Sequence, residues 1–342
     1  MTVVPRLRWT AAAIAVVVLV AACSPESGLD STAERRTALL ASNEIEVLVE
    51  PAVPQFPVTV TSRDWAGDTS VTVESADRVL ALDISGSTAA TVWSLGLGDR
   101  LIGRDPATLF DGADALPVVT VGGHSVNAET LLDLRPDLII TDGTVGPREV
   151  FDQLREAGIT VVFVDNDPSF AGAEALAVQV SAIFGDVDAG IRLAERISAE
   201  VDHATEQVTS MIPAEAEPPR VVFLYLRGDA GIYYLFGAGT GADEIIAGLG
   251  AVDVAAEIGW DGFMPMTDEA LIAADPDVIL VMSGGLDSVG GISGLLDVKP
   301  AIALTSAGRE GRIVDMDDGQ ILSFGPRSAA VLLALAEAVY GD

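Results

Sequence analysis

The 342-residue sequence has one cysteine, Cys23, and two histidines, His124 and His203. A single cysteine excludes an intrachain disulfide and any CxxC motif. There is no P-loop and no HExxH pattern, and Ser283, Ser293 and the two histidines form no recognisable nucleophile motif. The chain is therefore expected not to be an enzyme. Basic residues are also scarce: 19 Lys and Arg stand against 51 Asp and Glu, for a net charge of −32 and a pI near 4.1. Nucleic acid, whose phosphates need Lys and Arg, is excluded as a partner. The charge suits a soluble, self-repelling surface and says nothing about a ligand. The one prominent apolar run near the start, Ala11–Val20, is too short for an ordinary spanning helix.

Arg6 and Arg8 precede that run, and Val20-Ala21-Ala22-Cys23 closes it. Small residues just before a sole cysteine resemble a bacterial lipobox, so residues 1–23 are read as a lipoprotein signal peptide. Acyl chains on Cys23 would anchor the mature protein to a membrane without spanning it. Residues 24–55 are rich in Ser, Glu and Pro and are expected to form a flexible linker. Two β-type runs, Pro57–Ser62 and Ser70–Glu74, then flank Trp65-Ala-Gly67-Asp68 as a hairpin.

From Arg78 strands alternate with helices. Val79–Leu82, Leu101–Gly103, Val118–Val121, Leu138–Thr141 and Thr160–Val164 read as strands. Helices fall at Thr88–Leu95, Pro147–Ala157 and about Phe170–Phe184. The alternation predicts an α/β lobe with a mostly parallel sheet over residues 56–185. Residues 186–212 have apolar side chains at helical spacing (Val187, Ile191, Ile197, Val201, Val208) and end before Pro213. A single helix of ~25 residues there spans ~38 Å, about the width of a domain. The α/β pattern then restarts, which gives a second lobe over 213–342.

The second lobe opens with Arg220-Val-Val-Phe-Leu-Tyr-Leu-Arg-Gly228. Val221 to Leu224 form a buried strand, and Gly228-Asp229 stops it. Tyr225 and Arg227 are two apart and so share a face. They emerge at the carboxyl end of a strand, where open α/β sheets place ligands. A neighbouring cation favours a phenolate, and Tyr is one of the known haem-iron ligands. These two residues alone also fit a Tyr covering the core rim beside an exposed Arg. An internal repeat relates the lobes: Glu129-Thr-Leu-Leu-Asp-Leu-Arg-Pro136-Asp137 and Glu269-Ala-Leu-Ile-Ala-Ala-Asp-Pro276-Asp277 both read Glu, helix, Pro-Asp, strand. The acidic residue at each helix start is also what the helix N-terminus favours. His124 follows Gly122-Gly123 in a loop after a strand, which suits a ligand as well as a turn or capping residue. His203 lies on the polar side of the long helix and is expected to be solvated. Met282 follows a strand and precedes Gly284-Gly285, where a thioether can pack on a porphyrin or fill core.

The lipobox, the two lobes on one helix, the paired Glu…Pro-Asp segments and Phe236-Gly-Ala-Gly-Thr-Gly-Ala-Asp243 together resemble the cluster A (class III) substrate-binding lipoproteins of ABC importers. Those proteins take siderophores, cobalamin or haem. Tyr225-Leu-Arg227 is similar to the haem-binding branch, in particular haemin-uptake proteins of corynebacterial type. The resemblance covers roughly residues 57–342. It implies two Rossmann-like α/β lobes on a single connecting helix, in an extracytoplasmic, lipid-anchored monomer. It implies ferric haem as the carried ligand, with His124 and Tyr225 on the two faces of the iron and Arg227 hydrogen-bonded to the phenolate. Met282 would contact the haem. Glu129 and Glu269 would pair with arginines of a permease, which works with its ATPase. Phe263 stands where many relatives have Tyr, and its role stays open. A siderophore or cobalamin carrier of the same family is the alternative.

Overall fold

The computed structural model describes residues 1–2, 35–265 and 267–341. The signal peptide and Cys23 lie outside the described residues. Residues 35–55, expected to belong to a flexible linker, are instead packed. Strand β1 (Arg36–Thr37) pairs in parallel with residues 314–315 of the second lobe. The chain then crosses to the first lobe. Ile45, Leu48 and Ala52 are buried there, and the amides of Leu48, Ala52 and Gln55 donate to the carbonyls of Ser94, Leu95 and Phe184. Composition suggests a spacer, but the segment meets its backbone hydrogen bonds on the fold, where an unpaired buried amide would be costly.

Strands β2 (Val58–Asp64) and β3 (Gly67–Val73) form the expected antiparallel hairpin. Strand β4 (Val79–Leu82) follows, then helix α1 (Ser87–Val92) and β5 (Leu101–Gly103). The expected strand at Val118–Val121 does not join this sheet as a full strand. It shortens to β6 (Thr120–Val121) and turns back antiparallel as β7 (Ser125–Val126), because Gly122 and Gly123 take φ of 62° and 84°. Helix α2 (Ala128–Asp133), β8 (Leu138–Thr141), α3 (Arg148–Glu156), β9 (Thr160–Phe163) and α4 (Phe170–Ile183) complete the lobe. Its sheet runs β5-β4-β8-β9, all parallel.

Helix α5 (Val187–Met211) is the connecting helix; the Asp186 carboxylate caps it by accepting from the Ala189 amide. Strand β10 (Arg220–Arg227) opens the second lobe and pairs antiparallel with β11 (Ile232–Phe236). Then come α6 (Ala242–Gly248), β12 (Val252–Asp253), α7 (Val254–Glu257), β13 (Phe263–Pro265), α8 (Asp268–Ala274) and β14 (Val278–Met282). Helices α9 (Ser283–Ser288), α10 (Gly291–Val298) and α11 (Ser306–Glu310), strand β15 (Ile313–Met316) and α12 (Ser328–Tyr340) finish the chain. The second sheet runs β1-β15-β14-β10-β11-β13, with β12 also on β10. It is mixed, because β11 and β13 fold back as a meander.

Both sheets are covered on both faces, as parallel sheets require. On β10, Val221 and Phe223 enter a core shared with α5 and α12, while Val222, Leu224 and Leu226 enter a separate core under α8 and α9. The repeat is structural as well as sequential. Asn127 caps α2 by accepting from Thr130 N–H, and Thr267 caps α8 by accepting from Ala270 N–H. The helices are followed by residues of positive φ, Arg135 at 49° and Asp275 at 39°. Asp137 accepts from the amide of Arg78, and Asp277 from that of Arg220, so each Pro-Asp pins the start of the neighbouring strand. The guanidinium groups of Arg78 and Arg220 in turn donate to carbonyls at the ends of α2 and α8.

Candidate functional site

The carboxyl ends of β4, β8, β10 and β14 all contribute residues to one cavity of about 670 Å³, within the size range of small-molecule sites. The second lobe supplies an aromatic wall. Tyr225 is half-buried near the end of β10, because the strand's inner face leaves the core after Phe223. Its ring stacks on Phe236 at 5.3 Å and 17°, and Phe236 meets Phe263 edge-on at 4.6 Å. Tyr234 sits directly across the ladder from Tyr225. Met282, Leu322 and Phe324 extend the apolar surface.

The first lobe supplies a polar wall of Ser85, Ser87, Asp142, Thr144 and Asn166. Three carboxyl groups follow three adjacent strands: Asp142 after β8 in the wall itself, with Asp83 after β4 and Asp105 beyond β5 buried outside the cavity lining. The Asp83 carboxylate accepts from Ser85 and from the first amides of α1, including Thr88 N–H at 2.8 Å. Asp105 is fully buried and accepts from the amide and hydroxyl of Thr108 at 2.8 and 3.0 Å. Burial first, then repulsion from Asp83, push Asp105 up to about 7 and Asp142 up to about 6.

The structure brings Tyr225 and Met282 together in the cavity. Arg227 shares the Tyr225 face, as its spacing predicts, with Cζ 4.7 Å from the ring centroid. The expected bond to the phenol oxygen is not made: Arg227 lies over the ring and donates to Asp318 at 2.9 Å and to Leu226 O at 3.0 Å. His124 is exposed in the β6–β7 turn and does not line the cavity. His203 is solvent-facing on α5 and pairs with Gln207 at 2.9 Å. Glu129 and Glu269 are exposed in the first turns of α2 and α8, away from the cavity lining. Phe263, whose role was open, is a cavity residue. The sequence reading missed Tyr234, Phe324, Asp142 and Asp318. Tyr234 had a signal: Gly231 turns β10 into β11, and an antiparallel hairpin then sets two aromatic residues side by side. Asp142 and Asp318 had none, because they reach the cavity through strand order. Among the described residues, no group of three or more His, Cys, Asp or Glu side chains is placed to hold a free metal ion.

The sequence pattern of the periplasmic binding protein family matches residues 84–319. The uncharacterised ABC transporter substrate-binding lipoprotein YvrC of Bacillus subtilis (strain 168) is 25% identical over 336 residues, covering 98% of this chain and 96% of its own. A cobalamin-binding protein of Halobacterium salinarum is 28% identical over 292 residues, covering 83% and 74%. Among solved structures, the heme binding protein HmuT superposes with a TM-score of 0.82 at 37% identity, covering 90% of this chain and 97% of its own. Structures of HmuT also exist with alanine in place of one tyrosine, of the arginine two positions beyond it, and of one histidine. With the family pattern spanning both lobes and the cavity between them, the chain is a member of the periplasmic binding protein family, with the two-lobed α/β fold of its substrate-binding proteins.

Proposed function

We propose that this protein captures ferric haem in the cavity and delivers it to the permease of an ABC importer. The observation that carries the reading is Tyr225, an oxygen ligand set in an aromatic wall with a guanidinium over its ring. The walls suit a flat macrocycle, and a phenolate suits ferric iron. Tyr225 takes one axial position. His124 takes the other when the β6–β7 turn, which holds Gly122 and Gly123 at positive φ, closes on the ligand. Arg227 offsets the phenolate charge, and Met282 packs against the macrocycle. HmuT, with its replaced tyrosine, arginine and histidine, supports this assignment of Tyr225, Arg227 and His124. The protein acts as a stoichiometric carrier and not as an enzyme. It is a monomer held to the outer face of the membrane through Cys23, with Glu129 and Glu269 as its contacts to the permease.

Titration with hemin, followed by absorption, tests the reading. The wild type should bind one hemin with a tyrosinate-type ferric spectrum. Tyr225→Ala should shift the Soret and charge-transfer bands and lose haem faster. An unchanged spectrum in Tyr225→Ala would remove Tyr225 as the ligand. Similarity to a cobalamin-binding protein keeps a second reading in play. Cyanocobalamin that displaces hemin stoichiometrically would favour it.

A further inference from the structure

Asp318 stands 91 residues from Arg227 in sequence, yet the two side chains form one unit. Arg227 Nη2 donates to Asp318 Oδ2 at 2.9 Å. Asp318 Oδ1 accepts from Gly284 N–H at 2.8 Å, which fixes the carboxylate. Arg227 Nη1 donates to Leu226 O at 3.0 Å, which fixes the other side of the guanidinium. Held at both ends, the cation lies 4.7 Å from the Tyr225 ring centroid. The backbone after Met282 is shaped around this pair. A Cβ on Gly284 would come within 2.9 Å of Asp318 Oδ2. One on Gly285 would come within 2.7 Å of Leu226 O and 3.2 Å of Arg227 Nη1. At Gly285 the close atom is backbone, so a side chain there would displace the strand that carries Arg227; at Gly284 it would displace the Asp318 carboxylate.

We propose that Asp318 is a positioning residue: it holds Arg227 against Tyr225, so that the cation already stands beside the phenolate when the ligand arrives. The inference rests on Tyr225 being the haem ligand. Arg side chains carry large rotamer freedom, and a prearranged guanidinium loses none of it on binding. Asp318 also lines the cavity, so direct action of its charge on a bound ligand is the competing route. A double-mutant cycle separates the two routes.

The experiment measures haem loss to an excess of a haem-scavenging protein at neutral pH, with the charge-transfer band recorded for each variant. Both residues of the pair are about one-third exposed, so the effect is modest. Asp318→Ala should speed haem loss roughly two- to fivefold and move the band. In an Arg227→Ala background the same change should do neither. Asp318→Asn keeps an acceptor oxygen at the same reach and should recover most of the retention. Equal effects of Asp318→Ala in both backgrounds, no effect in either, or an Asn variant no better than Ala would overturn the positioning role. A wild type that leaves the hemin spectrum as it is for free hemin would take down the ligand reading and this inference together. A wild type that binds hemin while the two residues prove uncoupled takes down only the inference.

Discussion

Asp105 is a carboxyl group placed where a carboxylate is costly: fully buried, beside Asp83, with Thr108 as its main donor. Its folded value of about 7 lies above the ordinary ~3.9. Between those limits the folded protein keeps a proton that the unfolded chain has released. Stability therefore falls as pH rises through that window, and the penalty is complete above about 7. A shift of this size corresponds to a penalty on the order of 4 kcal/mol. Asp105→Asn should be more stable than wild type at pH 8 and nearly equal to it at pH 4, as read by urea unfolding. Asp142 should leave a residual slope in the variant below about pH 6, the value to which it is raised. Parallel pH curves for the two proteins would contradict the assignment. None of this was legible one residue at a time. Tyr225 and Arg227 were, since a spacing of two on an apolar run fixes a shared face. Asp83, Asp105 and Asp142 meet only because β5, β4 and β8 are neighbours. The sequence also placed His124 correctly in a turn, but alternation along a strand says nothing about where a turn points.

At the scale of elements, α2 and α8 carry the same frame in both lobes: a side-chain cap, a positive-φ exit, and a Pro-Asp that pins the adjacent strand. The repeat was readable because each of these devices is local. The antiparallel β11 had only the turn signal at Gly231, and β13 had none, because a hairpin and a crossover can follow strands of similar composition. The shared frame presents Glu129 and Glu269 from equivalent helix starts, which is the basis for proposing them together as the permease contacts. Exposed ion pairs contribute only ~0.2–1 kcal/mol each, but they set register and speed encounter. The combined Glu129→Ala and Glu269→Ala variant should bind hemin normally and stimulate transporter ATP hydrolysis less than wild type. The deficit should shrink as salt screens the wild-type contacts. Unaltered stimulation would leave both residues as acidic first-turn residues that the helix N-terminus favours.

For the molecule as a whole, the segment from Arg35 to Gln55 is a second link between the lobes beside α5. Its first residues are held by Asp315, which is fully buried and accepts from Arg35 at 3.0 and 2.7 Å, from Thr37 at 2.9 Å and from Ser283 at 2.5 Å. Burial works to raise Asp315, and these donors hold it below the ordinary carboxylate range. Further along, Arg327 donates to Asn43 at 3.1 Å and to the Leu109 carbonyl at 2.9 Å, tying this segment and the first lobe to the second. Arg35→Ala should cost about 1–3 kcal/mol in denaturant unfolding, less than for a fully buried pair because Arg35 is 39% exposed. An unchanged midpoint would mean that Asp315 does not need the guanidinium. The pairing of β1 with β15 joins positions 278 residues apart. Chains emerge from synthesis N-terminus first. Strand β1 thus waits for its partner until 278 further residues have been made. Until then the second sheet lacks β15 and the edge strand that pairs with it, and Arg35 lacks its carboxylate. Closure of the second sheet is thereby tied to the arrival of β15, and a chain whose β15 is still to be made has no means of closing it early.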